Sequence, residues 1–60
     1  MFPTIGLKVY TTVNHMLFGA GVYMGTVVEL DGSILHLDNK DCVIWNFADM
    51  TYNTWIELRE

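Results

Sequence analysis

Thr26-Val27-Val28-Glu29-Leu30-Asp31-Gly32-Ser33-Ile34-Leu35-His36-Leu37 decides the fold of this chain. Two runs rich in β-branched and aliphatic residues flank an Asp-Gly pair, the residue pair best suited to the positive φ angles of a two-residue hairpin turn. With Asp31-Gly32 as the loop, Leu30 falls opposite Ser33, Val28 opposite Leu35 and Thr26 opposite Leu37. Alternation along a strand then places those six residues on the core face, and Val27, Glu29, Ile34 and His36 on the other.

Working outward, Asp38-Asn39-Lys40-Asp41 is a cluster of turn formers, after which Cys42 to Phe47 is again β-prone. A two-residue Asn39-Lys40 loop would pair Leu37 with Cys42, directing Cys42 and Ile44 inward and Val43, Trp45 and Phe47 outward. Ala48-Asp49-Met50-Thr51 reads as a short helical turn, with Asp49 placed to bond nearby backbone N–H groups. Tyr52 to Leu58 forms the last strand, with Thr54, Ile56 and Leu58 on one face and Trp55 and Glu57 on the other. Upstream, Leu7, Val9, Thr11 and Val13 alternate with Lys8, Tyr10 and Thr12, a period-two strand that follows Pro3 and Gly6. Asn14 to Gly21 reads as a longer loop, with Met16, Leu17 and Phe18 folded back onto the domain and Gly19 and Gly21 at its bends.

The resulting order is strand, long loop, strand, Asp-Gly hairpin, strand, short turn, strand, one-turn helix, strand. That order over residues 5–58 resembles the SH3-like barrel shared by SH3, Tudor and Sm-like domains. The resemblance implies an all-β, five-stranded SH3-like barrel with a long first loop and one helical turn before the last strand, a single domain over residues 1–60. SH3 domains carry an Ala-Leu-Tyr-Asp-Tyr-type stretch, a Trp pair and a Pro near the one-turn helix. Here Thr11-Thr12-Val13-Asn14-His15 stands in that stretch, Trp45 and Trp55 are ten residues apart and the only proline is Pro3, so proline-rich peptide binding is not implied. Gly25-Thr26-Val27-Val28-Glu29-Leu30-Asp31 is loosely similar to the second strand of Sm-like proteins, without their basic RNA-binding residues. Tudor domains hold methylated cations in aromatic cages. Tyr10, Tyr23, Trp45, Tyr52 and Trp55, with Asp49 as counter-charge, are the residues that such a cage would draw on.

Composition limits what the chain does. At 60 residues the core is marginal, and 52% hydrophobic residues exceed what one small core hides, so association with a partner or with itself is expected. Seven acidic residues against three basic ones give a net charge of −4, which argues against direct nucleic-acid binding because phosphate affinity comes from Lys and Arg. One cysteine fits a reducing cytoplasm better than an oxidising compartment. The uncharged run from Val9 to Val28, His15 aside, is not read as a membrane span, because Tyr10, Thr11, Thr12, Asn14 and His15 make its first third polar. Met1 to Leu7 lacks the basic start and cleavage site of a secretory signal.

No catalytic centre emerges. Ser33, His36 and Asp38 lie close in sequence, but Ser33 and His36 fall on opposite faces of a strand, which prevents a local nucleophile-base bond. His36, Asp38, Cys42 and His15 lack the paired spacings of compact zinc sites. Cys42, expected inward and without a cationic neighbour, reads as a small buried apolar residue. Gly19, Gly21 and Gly25 fit no phosphate-cradling pattern. No cofactor or metal is therefore expected.

What survives is an outward apolar set, Val27, Ile34, Val43, Trp45 and Trp55, with Tyr52 beside it. It is expected to be the partner-binding patch, anchored by the two indoles. The reading is a non-enzymatic, cytoplasmic protein-interaction module, in the manner of a small phage or bacterial accessory protein that modulates or inhibits a larger one, as a homo-oligomer or not. The alternatives are a Tudor-like or Sm-like ligand reader and a structural subunit of a symmetric assembly.

Overall fold

Antiparallel strand pairing organises the chain in a computed structural model that describes residues 2–60. The strands are β1 (Lys8–Thr11), β2 (Tyr23–Asp31), β3 (Ile34–Leu37), β4 (Cys42–Ile44) and β5 (Ile56–Arg59), with a 3-10 turn at Met50–Asn53. All pairings are antiparallel and the order across the sheet is β4-β3-β2-β1-β5. The fold is thus all-β with a single 3-10 turn. β4 and β5 form no ladder with each other, so the sheet is not closed.

β2 is the organising strand. Its first part pairs with β1 and its second with β3, and irregularities in both ladders leave Met24 and Val28 unpaired. Such bulges bend a strand and increase its twist, which is how one nine-residue strand serves both halves of the sheet. Gly25 makes a close crossing possible: it adopts φ +144°, and a Cβ there would lie 3.0 Å from the Cβ of Leu37.

The β2–β3 hairpin forms, one residue away from the expected register. Asp31 pairs with Ile34 and Leu30 with Leu35, so the loop is Gly32-Ser33 and not Asp31-Gly32. Gly32 has φ +58°, whereas neither Asp31 nor Ser33 has a positive φ. A type I′ loop at Asp31-Gly32 would force the aspartate into that region; a type II′ loop needs only its first residue there, and glycine meets that need without strain. The shifted loop by itself keeps Val28 and Leu30 on the face of Leu35 and Leu37; it is the bulge at Val28 that exchanges the faces of β2 and sets Val27 opposite Leu37. Leu35 and Leu37 are buried as expected, but Val28 and Leu30 are exposed and Val27, expected outward, is only 1% exposed in the core.

The β3–β4 connection also corrects the expectation. Leu37 N–H donates to the Asp41 carbonyl, so the loop has three residues, 38–40, with Lys40 in the left-handed region at φ 71°. Side chains of the turn hold it against β2: Asp38 Oδ1 accepts from Thr26 N–H, and Asn39 Nδ2 donates to the Met24 carbonyl. The extra residue moves the register by one, which reverses every side chain that follows. Cys42 and Ile44 are therefore exposed rather than inward, Val43 packs against the core, and Trp45, expected outward, is buried at 5% exposure.

Elsewhere the alternation holds within the strands, but the last strand starts at Ile56 and not at Tyr52. Tyr52 lies in the 3-10 turn, which comes two residues later than the expected one at 48–51, and Thr54, expected inward, is exposed. Leu7, Val9 and Thr11 are buried, Ile56 and Leu58 turn inward, and Trp55 and Glu57 face away. Val13 departs from the pattern because β1 ends at Thr11, which leaves it exposed in the long loop. The core is Val9, Val27, Leu35, Leu37, Trp45 and Ile56, with Met24, Val43 and Leu58 packed against it.

Candidate functional site

Three shallow hollows adjoin one another around Trp55, which borders all of them. The first, about 300 Å³, lies in the opening between β4 and β5 and takes Val43 and Ile44 from one edge strand and Ile56 from the other. Met24 from the bend of β2, Tyr52 from the 3-10 turn and the exposed thiol of Cys42 complete most of its wall. The second, about 320 Å³, continues past Ile44, Tyr52 and Trp55 toward Thr51 and Asn46. The third, about 220 Å³, separates Trp55 from Met16 and Leu17 of the long loop.

Specific hydrogen bonds hold each wall. Asn46 N–H donates to Asn53 Oδ1 at 2.9 Å, and Asn53 Nδ2 returns a bond to the Asn46 carbonyl at 2.9 Å. That reciprocal pair fixes the 3-10 turn to the end of β4 and so places Tyr52. Asp49 caps the turn: its Oδ1 accepts from the Thr51 hydroxyl at 2.6 Å and from Thr51 N–H at 3.0 Å. These two bonds stabilise the charged form and hold the carboxyl below the ordinary aspartate value of 3.8.

The long loop is tied to the start of β5. Thr12 N–H donates to the Trp55 carbonyl at 2.9 Å, while the Thr12 hydroxyl and Asn14 Nδ2 both donate to the Thr54 carbonyl. Inside the loop, His15 Nδ1 accepts from the N–H groups of Leu17 and Phe18 at 3.3 and 3.2 Å, and its ring stacks on Phe18 with centroids 5.0 Å apart. An accepting Nδ1 is an unprotonated one, so a neutral ring here carries its proton on Nε2. Met16, Leu17 and Phe18, expected to fold back onto the domain, instead stand out from it, Met16 at 92% exposure.

The expected patch therefore divides. Trp55, at 60% exposure, lies with Tyr52 and Val43 at the cleft, whereas Val27 and Trp45 belong to the core and Ile34 is exposed beside the hairpin turn. Trp45 Nε1 is buried with no hydrogen-bond partner among the described residues. Ile44, at 78% exposure, was assigned inward by the sequence and is instead a cleft residue. Leu17 was missed because nothing in a loop sequence shows which way it projects.

The five aromatic residues of the hypothetical cage divide as well. Tyr10 and Tyr23 contact each other with ring centroids 5.4 Å apart, and the Arg59 guanidinium covers the Tyr10 face at 4.1 Å while pairing with Glu57. Tyr52 and Trp55 line the cleft, and Trp45 lies in the core.

Potential ligating groups are also apportioned differently from the sequence reading. His15 and Cys42 face the cleft, Asp38 bonds Thr26 N–H, and His36 sits beside Asp31 with Nε2 3.8 Å from a carboxylate oxygen. Glu29 is opposite His36 in the ladder, so Glu29, Asp31 and His36 bring ligand atoms within 4.8 Å of one another. The shifted hairpin register creates this grouping, which is why the expected register concealed it. Among the described residues, no helix is long and apolar enough to cross a membrane. Comparison of the chain with family models, with curated protein sequences and with solved structures found no match.

Proposed function

We propose that this chain is a non-enzymatic protein-interaction module of SH3-like architecture that docks a protein partner on the cleft beside Trp55. The order β4-β3-β2-β1-β5, a bent β2 shared by both halves and a 3-10 turn ahead of the last strand support the architectural part. Trp55 carries the functional part: an indole 60% exposed, rooted in a hydrogen-bonded frame and bordering three adjoining apolar hollows. Large aromatics anchored this way dominate interface energetics, and shallow hollows suit side chains of a protein better than an engulfed small molecule.

In this reading the binding residues are Trp55, Tyr52, Ile44 and Val43, and the setting is that of a small cytoplasmic accessory protein acting on a larger one. The test is parallel affinity capture with the unaltered protein and with Trp55→Ala, both shown to be folded by circular dichroism. The expected result is one protein retained by the first and lost by the second. Equal retention by Trp55→Ala and Tyr52→Ala would remove the cleft from the account.

A further inference from the structure

The two edge strands that border the cleft are not equivalent. Leu37 N–H donates to the Asp41 carbonyl and Trp45 N–H to the Ser33 carbonyl, which fixes the phase of the β3–β4 ladder. Antiparallel pairs alternate, so Asp41, Val43 and Trp45 direct their main-chain groups toward β3 while Cys42 and Ile44 direct theirs away from it, to the open side. On β5 the same reasoning from the Thr12 N–H to Trp55 carbonyl bond leaves Ile56 and Leu58 with outward main-chain groups.

Exposed edges in native proteins are commonly guarded by charge or proline. β5 is guarded, since Glu57 and Arg59 alternate along it. β4 reads Cys-Val-Ile, with neither charge nor proline, and it supplies three of the cleft's lining residues.

We infer that β4 receives an extended segment of a partner protein as an additional strand, the segment carrying alternating apolar residues and Lys or Arg at its flanks. This rests on the cleft being the docking site and specifies how and by what it is filled. A residue of the segment opposite Val43 shares its face, and so enters the cleft toward Met24 and Ile56. Main-chain bonds to Cys42 and Ile44 supply affinity, and the alternate side chains supply selectivity.

Charge sets the composition of the flanks. No Lys, Arg, Asp or Glu lines the cleft, but its bordering elements carry Asp38 and Asp41 against Lys40 at one end of β4 and Asp49 at the head of the 3-10 turn. With Arg59 engaged by Glu57 and Tyr10, and a net charge of −4, a cationic segment is attracted and a second copy of this chain is repelled.

The test begins with the full chain and a displayed library of random peptides of roughly twelve residues, long enough at about 3.3 Å per residue to cover β4 and both flanks. Selected peptides are then measured against Ile44→Pro and Ile44→Ala. Proline at 44 removes an N–H that the internal ladder does not use, a substitution that edge strands accept, while alanine keeps that donor and removes the side chain. The expected result is enrichment of basic, alternating sequences whose binding falls at least tenfold more with Ile44→Pro than with Ile44→Ala. N-methylation of the peptide should weaken binding only at every second amide, a readout that survives if Ile44→Pro does not fold.

Peptides that require Trp55 but respond equally to both Ile44 variants and to N-methylation at any position would overturn strand addition and leave the cleft as a docking site. Binding indifferent to Trp55→Ala, or no enrichment at all, would overturn both. Dimerisation of the free protein that Ile44→Pro abolishes would replace the partner segment with a second copy.

Discussion

Trp45 and Trp55 are the same residue type, ten positions apart in one chain, and they occupy opposite situations. Trp45 follows β4 and is 5% exposed among Val9, Leu35 and Leu37; Trp55 precedes β5 and is 60% exposed at the cleft. What separates them is register. One added residue in the 38–40 loop turns Trp45 inward, while the β1–β5 ladder keeps Trp55 on the face away from Ile56 and Leu58. The difference teaches that an indole's role in so small a sheet follows from the loop before its strand. The residue itself does not say which role it has.

The largest expected effect is at the buried indole. Trp45→Ala should cost about 3–5 kcal/mol through the cavity it leaves, which is enough to unfold a chain of this size, and urea denaturation followed by circular dichroism measures it. A folded Trp45→Ala variant with unchanged midpoint would erase the contrast between the two indoles.

Next is the exposed indole. Trp55→Ala should weaken partner binding by about 2 kcal/mol, roughly 30-fold, and shift stability by no more than about 0.5 kcal/mol. Calorimetric titration and denaturation of the same samples separate the two effects. The variant's remaining fluorescence should be blue-shifted and resistant to acrylamide, since only Trp45 would emit.

A milder probe sharpens the core side. Trp45→Phe loses volume but also removes the Nε1–H that is buried without a partner, and an unsatisfied buried donor costs about 1–3 kcal/mol. Its destabilisation should be less than half that of Trp45→Ala in the same urea experiment. Equal losses would show that the retained ring and the removal of the orphaned N–H together recover nothing in the folded state.

The smallest effect is at Asp49. Its lowered pKa means that the folded state favours the carboxylate, so the stabilising contribution is complete above the ordinary aspartate value of 3.8 and is lost as the pH falls through the lowered value. Asp49→Asn should therefore flatten the acid limb of the stability profile slightly and loosen the turn that carries Tyr52. Denaturation midpoints measured across the acid range check the sign, and a steeper acid limb in the variant would reverse it.

The strands were legible because alternation survives without knowledge of neighbours: Leu7, Val9 and Thr11, or Ile56 and Leu58, declare one face. The hairpin existed in the sequence for the same reason. Its register did not, because Asp-Gly followed by Ser offers two adjacent two-residue loops, and the choice rests on whether Asp31 or only Gly32 takes a positive φ. The Asp38 and Asn39 bonds to β2 that set the second register join residues 12 and 15 apart, which local spacing does not encode. The misplaced residues of the expected patch trace to two features: Val27 to the bulge at Val28, and Val43 and Trp45 to the three-residue turn at 38–40. The outward direction of Trp55 was legible because it directly precedes β5, whereas Tyr52, expected on that strand, lies in the 3-10 turn, where period-two alternation does not apply.

The shared strand has a further consequence for how the molecule assembles. Since β2 bends at Val28 to serve β1 on one flank and β3 on the other, Val27 is a hinge pin common to both ladders. Neither half is complete without it, so the two halves should melt as one event, with amide exchange at Val27 slowed to the rate of global opening.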